Sequence, residues 1–139
     1  MKTKFILSGL AGGISYFLIG WLVYGIVLSG FYESNTLHYD GLSKDMPVLW
    51  LLALSNLMAA YFLAFVFDSW AKISTFIGGF AGGLIMGLFM AIIYNFSSHS
   101  MLNLMSTKLV LVDIIVSGLV IGIVGGVVGL ILGSGKKAQ

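Results

Sequence analysis

Four long stretches of this chain, residues 5–31, 46–67, 73–97 and 108–133, hold only two charged side chains between them, Lys108 and Asp113. Each is long enough to cross a hydrocarbon layer of about 30 Å at about 1.5 Å per helical residue. Inside hydrocarbon every backbone polar group must find its partner within the protein, which leaves helices or a closed barrel. A barrel needs strands of alternating polarity, and these runs do not alternate. The expected fold is therefore all-α: a four-helix transmembrane antiparallel bundle forming a single domain over residues 1–139.

Composition agrees. Of the 139 residues, 59% are hydrophobic and 9% charged, and the mean hydropathy is +1.06. A water-soluble domain of this size could not hide so much apolar surface, so lipid must cover it. The absence of cysteine excludes disulfides, thiolate metal sites and cysteine nucleophiles. The absence of arginine excludes arginine-based voltage sensing and bidentate phosphate clamps. A net charge of +2 is too small to imply nucleic acid. No phosphate-binding loop, nucleophile elbow or zinc-protease motif occurs.

Lys2 and Lys4 ahead of an apolar run could open a secretory signal, but the run is too long and no A-x-A site follows. It is expected to be a retained first span. Lys2, Lys4, Lys72, Lys136 and Lys137 fall on one side of the expected topology, Lys44 and Lys108 on the other with Glu33, Asp40 and Asp45. The lysine bias predicts both termini in the cytoplasm. The outer loops would then be Tyr32–Asp45 and Ser97–Thr107. The tight Asp68–Lys72 connection would make spans two and three antiparallel neighbours.

Most of the 19 glycines lie within spans. Gly9, Gly12, Gly13 and Gly20 share one direction on span one with Tyr16 and Tyr24. Gly79, Gly82, Gly83 and Gly87 do so on span three, and Gly118, Gly122, Gly125, Gly126, Gly129 and Gly133 on span four. Small residues at every fourth place let helix backbones approach in lipid, so these seams predict helix packing. Their abundance in spans three and four predicts a homo-oligomer as well. Gly9-Leu10-Ala11-Gly12-Gly13 matches Gly79-Phe80-Ala81-Gly82-Gly83 at an offset that also places Tyr24 on Tyr94, a pattern expected of a duplicated two-helix hairpin.

Asp113 is the one acid well inside a span, and an intramembrane carboxylate is a functional candidate. Ser117 lies one turn deeper. Asn56, Tyr24, Tyr94 and Asn95 sit at similar depth on the other spans, which together predicts an outer-facing polar pocket. The bland alternatives are interhelical hydrogen bonding for Asn56, a place in the aromatic belt for the tyrosines, and the positive end of its own helix for Asp113. His38 and Asp40, with His99 from the other outer loop, could contribute to a metal site, although histidines and acids are ordinary loop residues. No other cofactor is implied.

The stretch Gly20-Trp21-Leu22-Val23-Tyr24-Gly25, followed by Phe31-Tyr32-Glu33-Ser34-Asn35, resembles a group of small bacterial four-span membrane proteins with no assigned activity. The resemblance implies a bacterial inner-membrane location and no mechanism. The chain lacks both the cysteines of four-helix quinone-linked disulfide enzymes and the first-span glutamate of small multidrug exporters. Three functions are open: binding or passing a small solute or ion through the pocket, an accessory role packing on partner helices, or a membrane enzyme with an outer metal site. The first is preferred, with the lipid bilayer and a second copy or partner helices as the expected neighbours.

Overall fold

The computed structural model describes residues 2–134; Lys136 and Lys137, used above for orientation, lie outside the described residues. The described chain is helical. The elements are α1 (Lys2–Leu22) continuing through a π-helical turn (Val23–Val27), α2 (Ser29–Asn35), α3 (Leu49–Val66) continuing through a second π-helical turn (Phe67–Ala71), α4 (Phe76–Met101) and α5 (Thr107–Gly133). Four of these are long and apolar enough to cross a membrane, and dozens of large apolar side chains face outward along them, as lipid solvation requires.

The start of each of the last two helices is written in the sequence. Thr75 and Ser106 stand just before α4 and α5, and their hydroxyls accept from the amides of Gly78 at 3.1 Å and Leu109 at 3.2 Å, satisfying donors that a helix start leaves free. Three expected boundaries change. Tyr32, placed in a loop by its position after the first apolar run, lies in α2. Residues 97–101, expected in the second outer loop, continue α4, leaving a connection of residues 102–106. Residues 68–71, expected in a loop, finish the wide turn after α3, which ends at Lys72 in the left-handed conformation (φ 52°). The Lys72 ammonium donates to the Asp68 carbonyl at 2.8 Å, helping to close that turn.

The helix at the centre is α5, which touches all the others and is the most enclosed, half of it being buried. On one side it packs against α4 along the glycine seams. A Cβ built on Gly83 would lie 2.5 Å from the Ile121 carbonyl oxygen, and one on Gly87 3.2 Å from the Gly118 Cα. Backbone therefore lies against backbone, with Gly79 opposite Gly125 and Gly83 opposite Gly122 in antiparallel register. On its other side Val124, Val128 and Leu132 form the core with Ala60, Leu63, Ala64 and Phe67 of the α3 arm. The α1 helix packs on α3 through Gly13, where a Cβ would fall 2.9 Å from the Leu57 Cα, and on α5 through Gly12 against Val128.

This arrangement corrects one expectation. Spans two and three, α3 and α4, are consecutive and antiparallel but share no extended face. They meet near their connection, where Phe67 and Ile73 pack over Gly82. The physical reason is that α5 offers α4 a glycine face that no other helix can match. The glycines of α4 and α5 are thus occupied within one chain, and their number does not itself supply a surface for a second copy. The internal likeness is similarly divided: Gly9 and Gly13 receive α3 as Gly79 and Gly83 receive α5, but Tyr24 turns inward whereas Tyr94 is 68% exposed.

Gly83→Ala must push α4 off α5 because the obstruction is backbone, and overpacking of this kind costs about 1–3 kcal/mol. Gly20→Ala, whose Cβ meets nothing within 4 Å, should change stability by less than about 0.5 kcal/mol. Unfolding both variants in mixed micelles by denaturing detergent checks the contrast.

Candidate functional site: a carboxylate held between three helices

The buried ridge of α4 runs Gly79, Gly83, Gly87, Ala91, Asn95, one residue every four, with all five facing α5. Small residues hold the helices close along most of the ridge, and its C-terminal end is polar. Asn95 is 1% exposed. Its Nδ2 donates to the Ala91 carbonyl at 3.0 Å and to Asp113 Oδ2 at 2.7 Å. Its Oδ1 is buried without a hydrogen-bond partner in the chain.

The second oxygen of Asp113 is taken from a different direction. Tyr32, on α2, donates its hydroxyl to Oδ1 at 2.5 Å. That approach depends on the backbone. The π-helical turn at Val23–Val27 is closed by the Leu28 amide on the Val23 carbonyl at 2.8 Å, and Leu28 then departs from helical geometry (φ −107°, ψ 4°). An extra residue in the turn re-aims everything that follows by about 100°. The chain returns as α2 with Tyr32 over the carboxylate and its ring edge-on to Tyr24, centroids 5.4 Å apart. Tyr24 in turn shares a 3.0 Å hydrogen bond with Ser117, one turn below Asp113 on α5. Burial first, then the hydrogen bond to Asp113 and its negative charge, raise the Tyr32 phenol above its ordinary value, so at neutral pH it is a donor to the carboxylate. Lys108, the lysine nearest along α5, lies over the Phe31 ring at 5.5 Å.

Beyond Asn95 this end of the bundle is strapped by two connections. The Ser106 amide donates to the Asn35 carbonyl at 2.9 Å, the Leu37 amide to the Leu104 carbonyl at 2.7 Å, and the Ser106 hydroxyl to Asn35 Oδ1 at 2.9 Å. A short antiparallel bridge between Thr36 and Met105 thus joins the α2–α3 connection to the α4–α5 connection. Next on the α4 ridge comes His99, whose Nε2 lies 3.3 Å from the Thr107 hydroxyl and whose Nδ1 is buried without a partner.

The predicted pocket residues divide. Asp113, Asn95, Ser117 and Tyr24 come together. Asn56 lines a separate furrow between α1 and α3, with Tyr24 as the shared wall. Tyr94 leaves the group altogether and faces outward beside Met90 and Ile93. Tyr32 was missed because an apolar-run reading ends the helix before it. Among the described residues no three His, Asp or Glu side chains gather where they could share a metal ion, so His38, Asp40 and His99 do not form the expected group; His38 and Asp40 stay exposed in the connection between α2 and α3.

A double-mutant cycle on Tyr32→Phe and Asp113→Asn should give a coupling of about 1 kcal/mol, in the range of interhelical hydrogen bonds in membranes. The same cycle with Tyr94→Phe should give none. Stability in mixed micelles is the readout.

No family model, curated protein or solved structure matches this chain, so its chemistry rests on these residues alone.

Proposed function

We propose that the chain is a bacterial inner-membrane protein, with both termini cytoplasmic, that binds or passes a small cation, the proton included, through the outer-facing site at Asp113. One observation carries the reading: a carboxylate within an apolar span lies against Asn95, whose buried amide oxygen has no partner in the chain. The half-buried carboxylate accepts from Tyr32 and Asn95, and Asn95 Oδ1 remains a buried acceptor without a donor from the chain. Negative charge and spare acceptor capacity within an apolar span favour a small positive charge, and intramembrane acids line ion and proton paths for this reason. Tyr32 and the strap of residues 35–37 and 104–106 would have to move for exchange with the outside, and the break at Leu28 gives α2 a place to pivot. The lysine bias supports the orientation: Lys4 donates to the Ser134 carbonyl, so the first and last described helices end together, at the end where Gly133 packs on Ser74.

A second reading, an accessory protein or homo-oligomer built on partner helices, draws on α4. This helix packs on α5 and leaves Ile85, Phe89, Ile93 and Phe96 exposed along its far side. Lipid can cover that face equally well, which puts this reading second.

Proteoliposomes loaded with a pH-sensitive or sodium-sensitive dye provide the test. Wild-type protein should dissipate an imposed gradient, and Asp113→Asn should slow this at least tenfold while eluting from size exclusion as the wild type does. Equal rates in both, or none in either, would reject the ion reading. Co-purification of a defined partner without flux would favour the accessory one.

A further inference from the structure

Two hollows lie end to end between α1 and α3, sharing Phe17 in their walls. The inner one, about 320 Å³, is bounded by Leu10, Ile14, Leu18 and Leu57 and is wholly apolar. The outer one, about 600 Å³, is bounded by Tyr16, Trp21, Tyr24, Pro47, Leu52 and Asn56. Along α1 the furrow runs from Leu10 to Gly25, about 22 Å at 1.5 Å per residue, longer than one leaflet's share of the hydrocarbon. No charged side chain lines either part.

Gly20 forms part of the floor of the outer hollow, between Tyr16 and Tyr24 at four-residue steps. Elsewhere on α1 the glycines are required by packing: a Cβ on Gly13 would meet the Leu57 backbone and one on Gly12 would meet Val128 at 2.6 Å. At Gly20 a Cβ would meet nothing within 4 Å. Helix packing does not use this glycine, and its effect is to keep the hollow open.

We infer that the furrow binds an uncharged, lipid-soluble molecule with a flat head bearing carbonyl or hydroxyl groups and a long apolar tail, the chemistry of an isoprenoid quinone. Charge and depth select this class over a phospholipid. A phosphate would find no cation in the walls. Asn56 lies seven residues into α3, about 10 Å from its outer end, below the level that a headgroup occupies. The ring would lie among Trp21, Tyr24 and Phe17, the head oxygens would meet the Asn56 amide and the Tyr16 hydroxyl, and the tail would follow the apolar hollow inward. Entry is lateral, from the bilayer, past the exposed side of Trp21 (62% exposed).

The test uses the full chain in detergent micelles with Trp50→Phe and Trp70→Phe, which leaves Trp21 as the only tryptophan of the three. A benzoquinone with a ten-carbon tail should quench Trp21 fluorescence saturably. Gly20→Leu should raise the half-saturating concentration at least tenfold, and Asn56→Leu, which keeps the bulk and removes the amide, at least fivefold. The tail-less benzoquinone should quench only in proportion to its concentration. Non-saturating quenching by the tailed compound, or curves unchanged by both substitutions, would overturn the inference. So would saturable quenching by phosphatidylcholine with brominated chains that the quinone fails to displace. The readout involves neither ion flux nor Asp113, so either reading can fail without the other.

Discussion

The approach of α4 to α5 is the contact on which the rest of the architecture depends. In lipid the hydrophobic effect gives helices no reason to pair, because acyl chains are as apolar as leucine. What holds them is close packing, weak Cα–H contacts and the few polar bonds available. A glycine ridge on each partner removes the side-chain layer between the two backbones. It also fixes register, since Gly79, Gly83 and Gly87 fit one alignment against Gly125, Gly122 and Gly118. With that alignment set, Asn95 arrives beside Asp113 with no further specification, because it occupies the next place but one on the same ridge. The polar cluster is thus the end of a packing device, and the small residues set the separation that its 2.7 Å hydrogen bond requires.

Much of this was legible in the chain itself. The four apolar runs define the spanning helices, because a bilayer imposes length and backbone satisfaction more strictly than water does. Asp113 stood out because charge in hydrocarbon is rare. Asn95 and Ser117 were found by depth alone. What could not be read was rotation. The depth of Tyr94 resembles that of Asn95, but adjacent residues on a helix point about 100° apart, and only the partner helix decides which of the two is enclosed. Asn56 failed for the same reason: it lies at the expected depth, on the face that α3 turns toward α1.

Neighbour order was the other hidden quantity. Short connections ordinarily join helices that pack along their length, and the turn between α3 and α4 is short. Here the glycine complementarity of α4 with α5 outweighs chain proximity, and α3 is left to the branched side of α5 through Val124 and Val128. The π-helical turns were equally invisible, since Val23–Val27 reads as an ordinary apolar stretch. Tyr32, which depends on that turn, was accordingly assigned to solvent.

The wide turn at Val23–Val27 also divides labour within the first segment of the chain. Upstream of it, side-chain directions answer to α3 and α5, and a change there is judged by how well the helices fit. Downstream, α2 answers to the carboxylate, the Tyr24 ring, Lys108 over Phe31 and the strap that follows it. Because one surplus residue separates the two reference frames, substitutions in α2 need not disturb the register of α1 on its neighbours, and the converse holds as well. Evolution could therefore vary the side chains set around Asp113 while the packing of the long helices stays as it is.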